Sequence, residues 1–199
     1  MMVFRKVAFA TALLCASSAA FAGSLPTNDG SQNSGRQGMY FDLTATNDLT
    51  ITNFNVNGVQ GDWTVYYKDG TYAGSELDMG AWTLLGSATV GGDNLLNVGG
   101  LTIHAGQTKA LYIFDFSGWQ NYDDGFEVHS NADLTFAGGT GNYGFFDNTL
   151  ADRVWSGTVN YNLNGSPAPE PASWALMLGG FGAIGGAMRA RRKAAITFA

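Results

Sequence analysis

At 199 residues, with ten basic and sixteen acidic side chains, the chain carries a net charge of −6. That balance excludes the cationic surface that nucleic-acid partners require. A single cysteine excludes an internal disulfide framework, and 28 glycines argue against long helices.

The first element reads as an export signal. Arg5 and Lys6 form a positive start, Val7 to Ala16 an apolar run, and Ala20-Phe21-Ala22 a small-x-small cleavage pattern. Residues 1–22 are expected to be a signal peptide that signal peptidase cuts after Ala22, leaving Gly23 as the new N-terminus. Cys15 lies inside this run behind two leucines, whereas a lipoprotein signal places a small residue before its cysteine; it is a small apolar residue of the discarded segment. Residues 23–38 are polar and rich in Gly, Ser and Asn, and read as a flexible linker.

From residue 39 to 163 a period of two dominates and no helical pattern appears. Phe41, Leu43 and Ala45 alternate with Asp42, Thr44 and Thr46. Leu49 and Ile51 continue after an Asn47-Asp48 turn, and the phase then flips to Phe54 and Val56, which predicts a bulge near Asn53. Trp63, Val65 and Tyr67 face away from Thr64, Tyr66 and Lys68, and Asp69-Gly70 closes that strand. Trp82, Leu84, Ala88 and Val90 predict the next, followed by a turn at Gly91-Gly92-Asp93-Asn94. Leu101, Ile103 and Ala105 make a short strand. Ala110 to Phe116 is apolar on both faces, as a central strand would be. Phe126 to His129, Leu134 to Phe136, and Trp155, Val159, Tyr161 and Leu163 complete about nine strands, by the spacing expected of all-β domains. The fold class is therefore all-β: an antiparallel two-sheet sandwich, with the jelly roll among its forms.

Catalytic patterns are absent from the sequence. His104 and His129 have no metal-ligand spacing and read as surface or strand-end histidines. There is no nucleophile elbow, phosphate loop or exported cysteine. Carboxylates are plentiful, which leaves a glycoside hydrolase as a weaker alternative. The stretch from Ser117 to Gly125 is the best candidate binding loop. Trp119 and Tyr122 offer ring faces for a sugar, and Asp123, Asp124 and Glu127 offer acceptors for its hydroxyls. The same carboxylates are alternatively calcium ligands, although an EF-hand pattern is missing. The plain reading is that Trp119 covers the end of the core and the acids solvate a turn.

Residues 164–168 form a short linker. After it, Pro169-Glu170-Pro171 fixes an extended backbone, Trp174 to Met188 is apolar and glycine-rich, and Arg189, Arg191, Arg192 and Lys193 form a positive stop. Fifteen residues span about 22 Å as a helix, short of the roughly 30 Å hydrocarbon core. A short transmembrane helix over 174–188 is expected, transient or permanent, with a basic stop at 189–193 and a cytoplasmic tail at 194–199. From Gly23 to Pro171, four basic residues face sixteen acidic ones, Glu170 among them, so the exported body up to the tripeptide carries −12. Such a charge favours solubility and repulsion between copies.

This C-terminal order resembles the PEP-CTERM sorting signal of Gram-negative bacteria. The resemblance runs from Pro169 through Gly182, with Trp174 and the Gly-Phe-Gly inside the apolar run, to the arginines, and covers about one sixth of the chain. It implies export, a passing stay in the inner membrane, and recognition of Pro169-Glu170-Pro171 by an exosortase-type membrane transpeptidase that brings its own catalytic cysteine. Glu170 would be the charged determinant, the two prolines the shape determinants, and Arg189, Arg191 and Arg192 the topology determinants. It further implies a non-enzymatic component of the cell surface or matrix, tied to extracellular polysaccharide or biofilm. A carbohydrate-binding β-sandwich module is the alternative reading.

Overall fold

The computed structural model describes residues 22–27, 33–165, 177–182, 184–186 and 188–189. Two units are distinguished, Ala20–Gly165 and a second made of Met1–Ala19 with Ser166–Ala199.

Among the described residues, the first unit holds fifteen strands. In chain order they are β1 (Ala22–Pro26), β2 (Asn33–Arg36), β3 (Gly38–Ala45), β4 (Leu49–Val56), β5 (Gly61–Asp69), β6 (Thr83–Val90), β7 (Leu95–Leu96) and β8 (Leu101–Ile103), then β9 (Thr108–Asp115), β10 (Gln120–Asp124), β11 (Glu127–Ser130), β12 (Leu134–Gly144), β13 (Asp147–Ala151), β14 (Arg153–Trp155) and β15 (Gly157–Leu163). The larger sheet runs β11-β12-β3-β9-β5-β6, with β13 on β12. The smaller runs β1-β15-β4-β7, with β8 on β4, and a third sheet runs β14-β10-β2. The named strand pairs are antiparallel.

Alternation explains how the sheets meet. Met39, Phe41 and Leu43 of β3, Trp63 and Val65 of β5, and Leu111 and Ile113 of β9 point inward from the larger sheet. They form one core with Leu49, Ile51, Phe54, Val159 and Tyr161 of the smaller sheet. This is a sandwich-like packing of two inner faces. Trp155 of β14 stacks on Phe41 at 5.0 Å and meets Phe54 edge-on at 6.1 Å, so the third sheet contributes to that same core. β9 is central, as its two apolar faces predict: its other face, Ala110, Tyr112 and Phe114, joins a second aromatic cluster on the outside of the larger sheet.

The bulge expected near Asn53 is present. Asn160 pairs with Asn53 and Tyr161 with Ile51, leaving Thr52 as the extra residue, so Ile51 and Phe54 both reach the core.

Two expectations need correction. Residues 23–38 are not a free linker: β1 bonds to β15 and β2 to β10, and Leu25 and Thr27 are buried. Polar composition hid this because the segment holds just one apolar anchor, Leu25. In β6, Leu84 is exposed and Leu85 packs on the core instead, because the pairing slips between Val65 and Tyr66 opposite this stretch.

In the second unit, residues 177–182, 184–186 and 188–189 are helical, and Gly182 and Arg189 among them are exposed. Among the described residues no helix is long and apolar enough to cross a membrane. Residues 1–21, with Ala20, lie outside the described residues, as do Pro169, Glu170, Pro171, Trp174, Arg191 and Arg192.

Candidate functional site

The stretch from Ser117 to Gly125 is half turn, half strand. Asp115, buried at the end of β9, accepts a hydrogen bond from the Ser117 N–H at 2.7 Å and so shapes the turn. Burial pushes the Asp115 carboxyl above its usual range, with the Ser117 and Gly118 amides pulling it back. Trp119 follows, 47% exposed. From Gln120 the chain becomes β10, flanked on both edges by β14 and β2. Alternation then divides the candidate ligands between faces.

The structure separates the five residues that the sequence groups together. Tyr122 is 8% exposed, its ring covered by the Arg36 guanidinium at 5.0 Å and the Arg153 guanidinium at 5.1 Å. Asp123 is buried. Asp124 accepts from the Asn33 amide at 2.9 Å and pairs with Arg153 at 3.2 Å. Glu127 contacts the His129 ring at 2.6 Å. Each of the carboxylates Asp124 and Glu127 thus has a neighbour of its own in the fold. Among the described residues, no group of three or more His, Cys, Asp or Glu side chains is placed to hold a metal ion.

Trp119 instead gains a partner that the sequence did not suggest. Tyr143, at the end of β12 and 45% exposed, meets it edge-on with ring centroids 6.1 Å apart. Arg36, mostly buried, lies over the Tyr143 ring at 4.2 Å as well as over Tyr122. A cation between two rings holds Tyr143 in place, so Trp119 and Tyr143 form an open, stiffened aromatic corner. No local signal marks Tyr143 or Arg36, since both stand in Gly- and Asn-rich segments that read as loop.

The second aromatic cluster is closed. Tyr40 and Tyr112 stack at 4.2 Å, and the Asn142 amide donates to both hydroxyls, at 3.0 and 2.9 Å. Burial pushes the Tyr112 hydroxyl up to about 12 and raises Tyr40 further. Loop contacts seal the rim: Tyr40 donates to the Glu76 carbonyl at 2.7 Å and Trp82 to the Ser75 carbonyl at 2.8 Å. These contacts are those of a packed core, with the Tyr40 and Tyr112 hydroxyls and the Asn142 amide nitrogen bonded inward.

The C-terminal exit is also defined. β15 ends at Leu163, and the Asn164 N–H donates to the Asp48 carbonyl at 2.8 Å while its side chain bonds the Thr50 hydroxyl. His104 stands nearby, exposed, 3.6 Å from the Asp48 carboxylate. Gly165 is the last described residue of the domain, and three more precede Pro169.

Residues 167–193 match the PEP-CTERM protein-sorting motif. The match includes Pro169, Glu170, Pro171, Trp174, Gly182 and the arginines, and supports an exported protein sorted by an exosortase. No curated protein matches the chain. Among solved structures, the chain is similar to the infectious bursal disease virus VP2 subviral particle, at 14% identity over 74% of this chain and 42% of that one, with a TM-score of 0.24. The structure of infectious bursal disease virus Gt strain is similar at 15% identity over 82% and 47%, with a TM-score of 0.23. The chain thus spans less than half the length of these structures.

Proposed function

We propose that this PEP-CTERM domain-containing chain is a non-enzymatic component of the cell surface or extracellular matrix, delivered there in two cuts. A signal peptide over residues 1–22 directs export and is removed after Ala22. The apolar stretch 174–188 then holds the precursor in the inner membrane, with the arginines on the cytoplasmic side, until an exosortase-type transpeptidase acts at Pro169-Glu170-Pro171. The observation that carries this reading is the sorting-motif match over residues 167–193. The fold agrees with it, because Asn164 is fastened to the domain and only a short tether leads on to Pro169.

The test is Glu170→Ala in the native host. The variant should be exported normally and accumulate as a full-length precursor in the membrane fraction. Release at the parental rate would refute the sorting reading.

A second, compatible reading gives the domain a ligand. Val59 N–H bonds the Trp119 carbonyl and Asn121 N–H the Asn57 carbonyl, just past the Val56 end of β4. Leu163, where the chain leaves, lies opposite Leu49 at the other end of β4. The Trp119–Tyr143 corner is thus about 25 Å along the strands from the tethered end. Two exposed rings at right angles suit the faces of neutral pyranoses, while the −12 charge disfavours anionic glycans. A glycan array probed with the processed protein, with and without calcium, should find a neutral polysaccharide that Trp119→Ala and Tyr143→Ala each bind about tenfold more weakly. Equal binding by the variants would remove this corner from the reading.

A further inference from the structure

The outer face of the larger sheet carries an opening that lies outside the Ser117–Gly125 stretch. Trp63 and Val65 of β5 point into the core, so Asp62 and Thr64 point outward, opposite Thr89 and Ser87 of the edge strand β6. Phe116 follows directly on β9 and stands on the same side. Asp62, Trp63, Ser87, Ala88, Thr89 and Phe116 line a cleft of about 340 Å³.

The directions of its hydrogen bonds give this cleft a chemical character. The Thr89 hydroxyl donates to Asp62 Oδ1 at 2.7 Å. The Ser87 hydroxyl donates to that of Thr64 at 3.0 Å, which in turn donates to the Gly86 carbonyl at 3.3 Å. The hydroxyl protons of Ser87 and Thr89 are thus spent within the protein, while their lone pairs and those of the second Asp62 oxygen can still accept. Such a wall calls for a ligand rich in O–H donors, and the charge on Asp62 strengthens the bonds it accepts. Phe116 is the apolar side. It is 55% exposed, with Phe114 at 4.8 Å and Phe145 at 5.3 Å holding its ring. An open ring face beside a row of acceptors suits a hexose, which has a C–H face and a rim of hydroxyls.

Ring and carboxylate are clamped to each other through the backbone. The Phe116 N–H donates to the Asp62 carbonyl at 2.9 Å, and the Asp62 N–H donates to the Ser117 hydroxyl at 2.6 Å. A Cβ at Gly61 would collide with the Ser117 side chain, so the clamp needs that glycine. The same two segments also build the Trp119–Tyr143 corner. Phe116 and Trp119 are three residues apart on the β9–β10 turn, at most about 11 Å. Phe145 follows Tyr143 by two residues at the tip of the β12–β13 hairpin. Each ring of the turn meets one ring of the hairpin, Phe116 with Phe145 and Trp119 with Tyr143.

Resting on the ligand reading above, we propose that the Phe116 cleft is a second hexose subsite, and that cleft and corner bind neighbouring stretches of one neutral polysaccharide chain. Phe116 stacks on one hexose while Asp62, Ser87 and Thr89 accept from its hydroxyls. Trp119 and Tyr143 hold a unit further along the chain. Asp62 repels uronic acids at the cleft itself, as the −12 body does over a longer range.

The test is calorimetry on the full-length protein, held in a detergent without a sugar headgroup. The probes are β-linked hexasaccharides of glucose, mannose and galactose, and the three monosaccharides. At least one hexasaccharide should bind, and its monosaccharide at least tenfold more weakly, because a single unit fills a single subsite. Phe116→Ala and Asp62→Ala should each weaken the hexasaccharide about tenfold, whereas Phe116→Tyr, which keeps the ring, should bind like the parent. Parental affinity in either Phe116→Ala or Asp62→Ala, with Trp119→Ala weakened, would overturn the cleft and leave the corner standing. Weakening in the two cleft variants with parental affinity in Trp119→Ala would keep the cleft and overturn its sharing a chain with the corner. A monosaccharide that binds as tightly as its hexasaccharide would overturn the shared chain as well. Parental affinity in all three alanine variants, or no binding of any hexasaccharide, would overturn cleft and corner together.

Discussion

Two carboxylates, Asp115 buried and Asp42 half-buried, give the domain a pH response that its surface charge alone would not. Asp115 caps the turn before Trp119, and Asp42 of β3 accepts the Tyr72 N–H at 2.9 Å. Burial is the largest influence on each and raises both, with donated hydrogen bonds opposing it. In the unfolded chain both titrate near pH 4. Above that value the folded state holds protons that the unfolded state has lost. The resulting stability is complete below the unfolded value and disappears as pH rises through the folded one. The urea midpoint should therefore fall as pH is raised from about 4 to about 7. Asp115→Asn, neutral throughout, should flatten part of that slope. An unchanged slope in the variant would assign the effect to repulsion within the −12 body.

At the scale of elements, β1 is the most consequential departure from expectation. Its worth is concentrated at Thr27, whose hydroxyl satisfies the Trp155 carbonyl and the Gly157 N–H together. Thr27→Val keeps the shape and removes both bonds, which should cost about 1–3 kcal/mol. The loss should appear as a lower urea midpoint at unchanged m; a midpoint equal to the parent's would mean that the hydroxyl does not fasten the strand. Strands with clean alternation were legible in the sequence, as Phe41-Leu43-Ala45 and the phase flip after Ile51 show, because one face of each is buried and the other is not. β1 and β2 were not, since edge strands of four or five residues with a single apolar anchor, Leu25, between them carry almost no periodic signal. β12 was legible only to Phe136. It continues through Gly138 and Gly141, whose missing side chains let Phe41 and Met39 pack close, and sequence alone reads such glycines as a turn. The candidate site was half legible. Trp119 is exposed as a ligand-binding ring must be, but Asp124 and Glu127 contact Arg153 and His129, and the ring beside Trp119 comes from a strand 24 residues on.

At the scale of the molecule, the domain and the sorting motif are coupled through the length of one tether. Asn164 is held by Asp48 and Thr50, and residues 165–168 separate it from Pro169. Four residues can reach at most about 14 Å before Pro169. A folded body of this size has a radius of gyration of roughly 14 Å. On the sorting reading proposed above, no more than that length of chain links Asn164 to the tripeptide that the enzyme binds. That tether should be close to the shortest the reaction tolerates. Deleting residues 165–168 should slow processing of the exported precursor by about tenfold or more, whereas a Gly/Ser insertion after Gly165 should leave it unchanged, as reach falls off slowly with added length. Combining the deletion with Thr50→Val separates sterics from motif damage. Losing the Thr50–Asn164 bonds lets the end of β15 yield chain to the tether, so the double variant should recover part of the lost rate. If the deletion alone is processed at the parental rate, the folded domain places no limit on the enzyme's approach. If the deletion is slow and the double variant recovers nothing, the loss belongs to the motif's own upstream residues, Pro167 and Ala168, rather than to the domain.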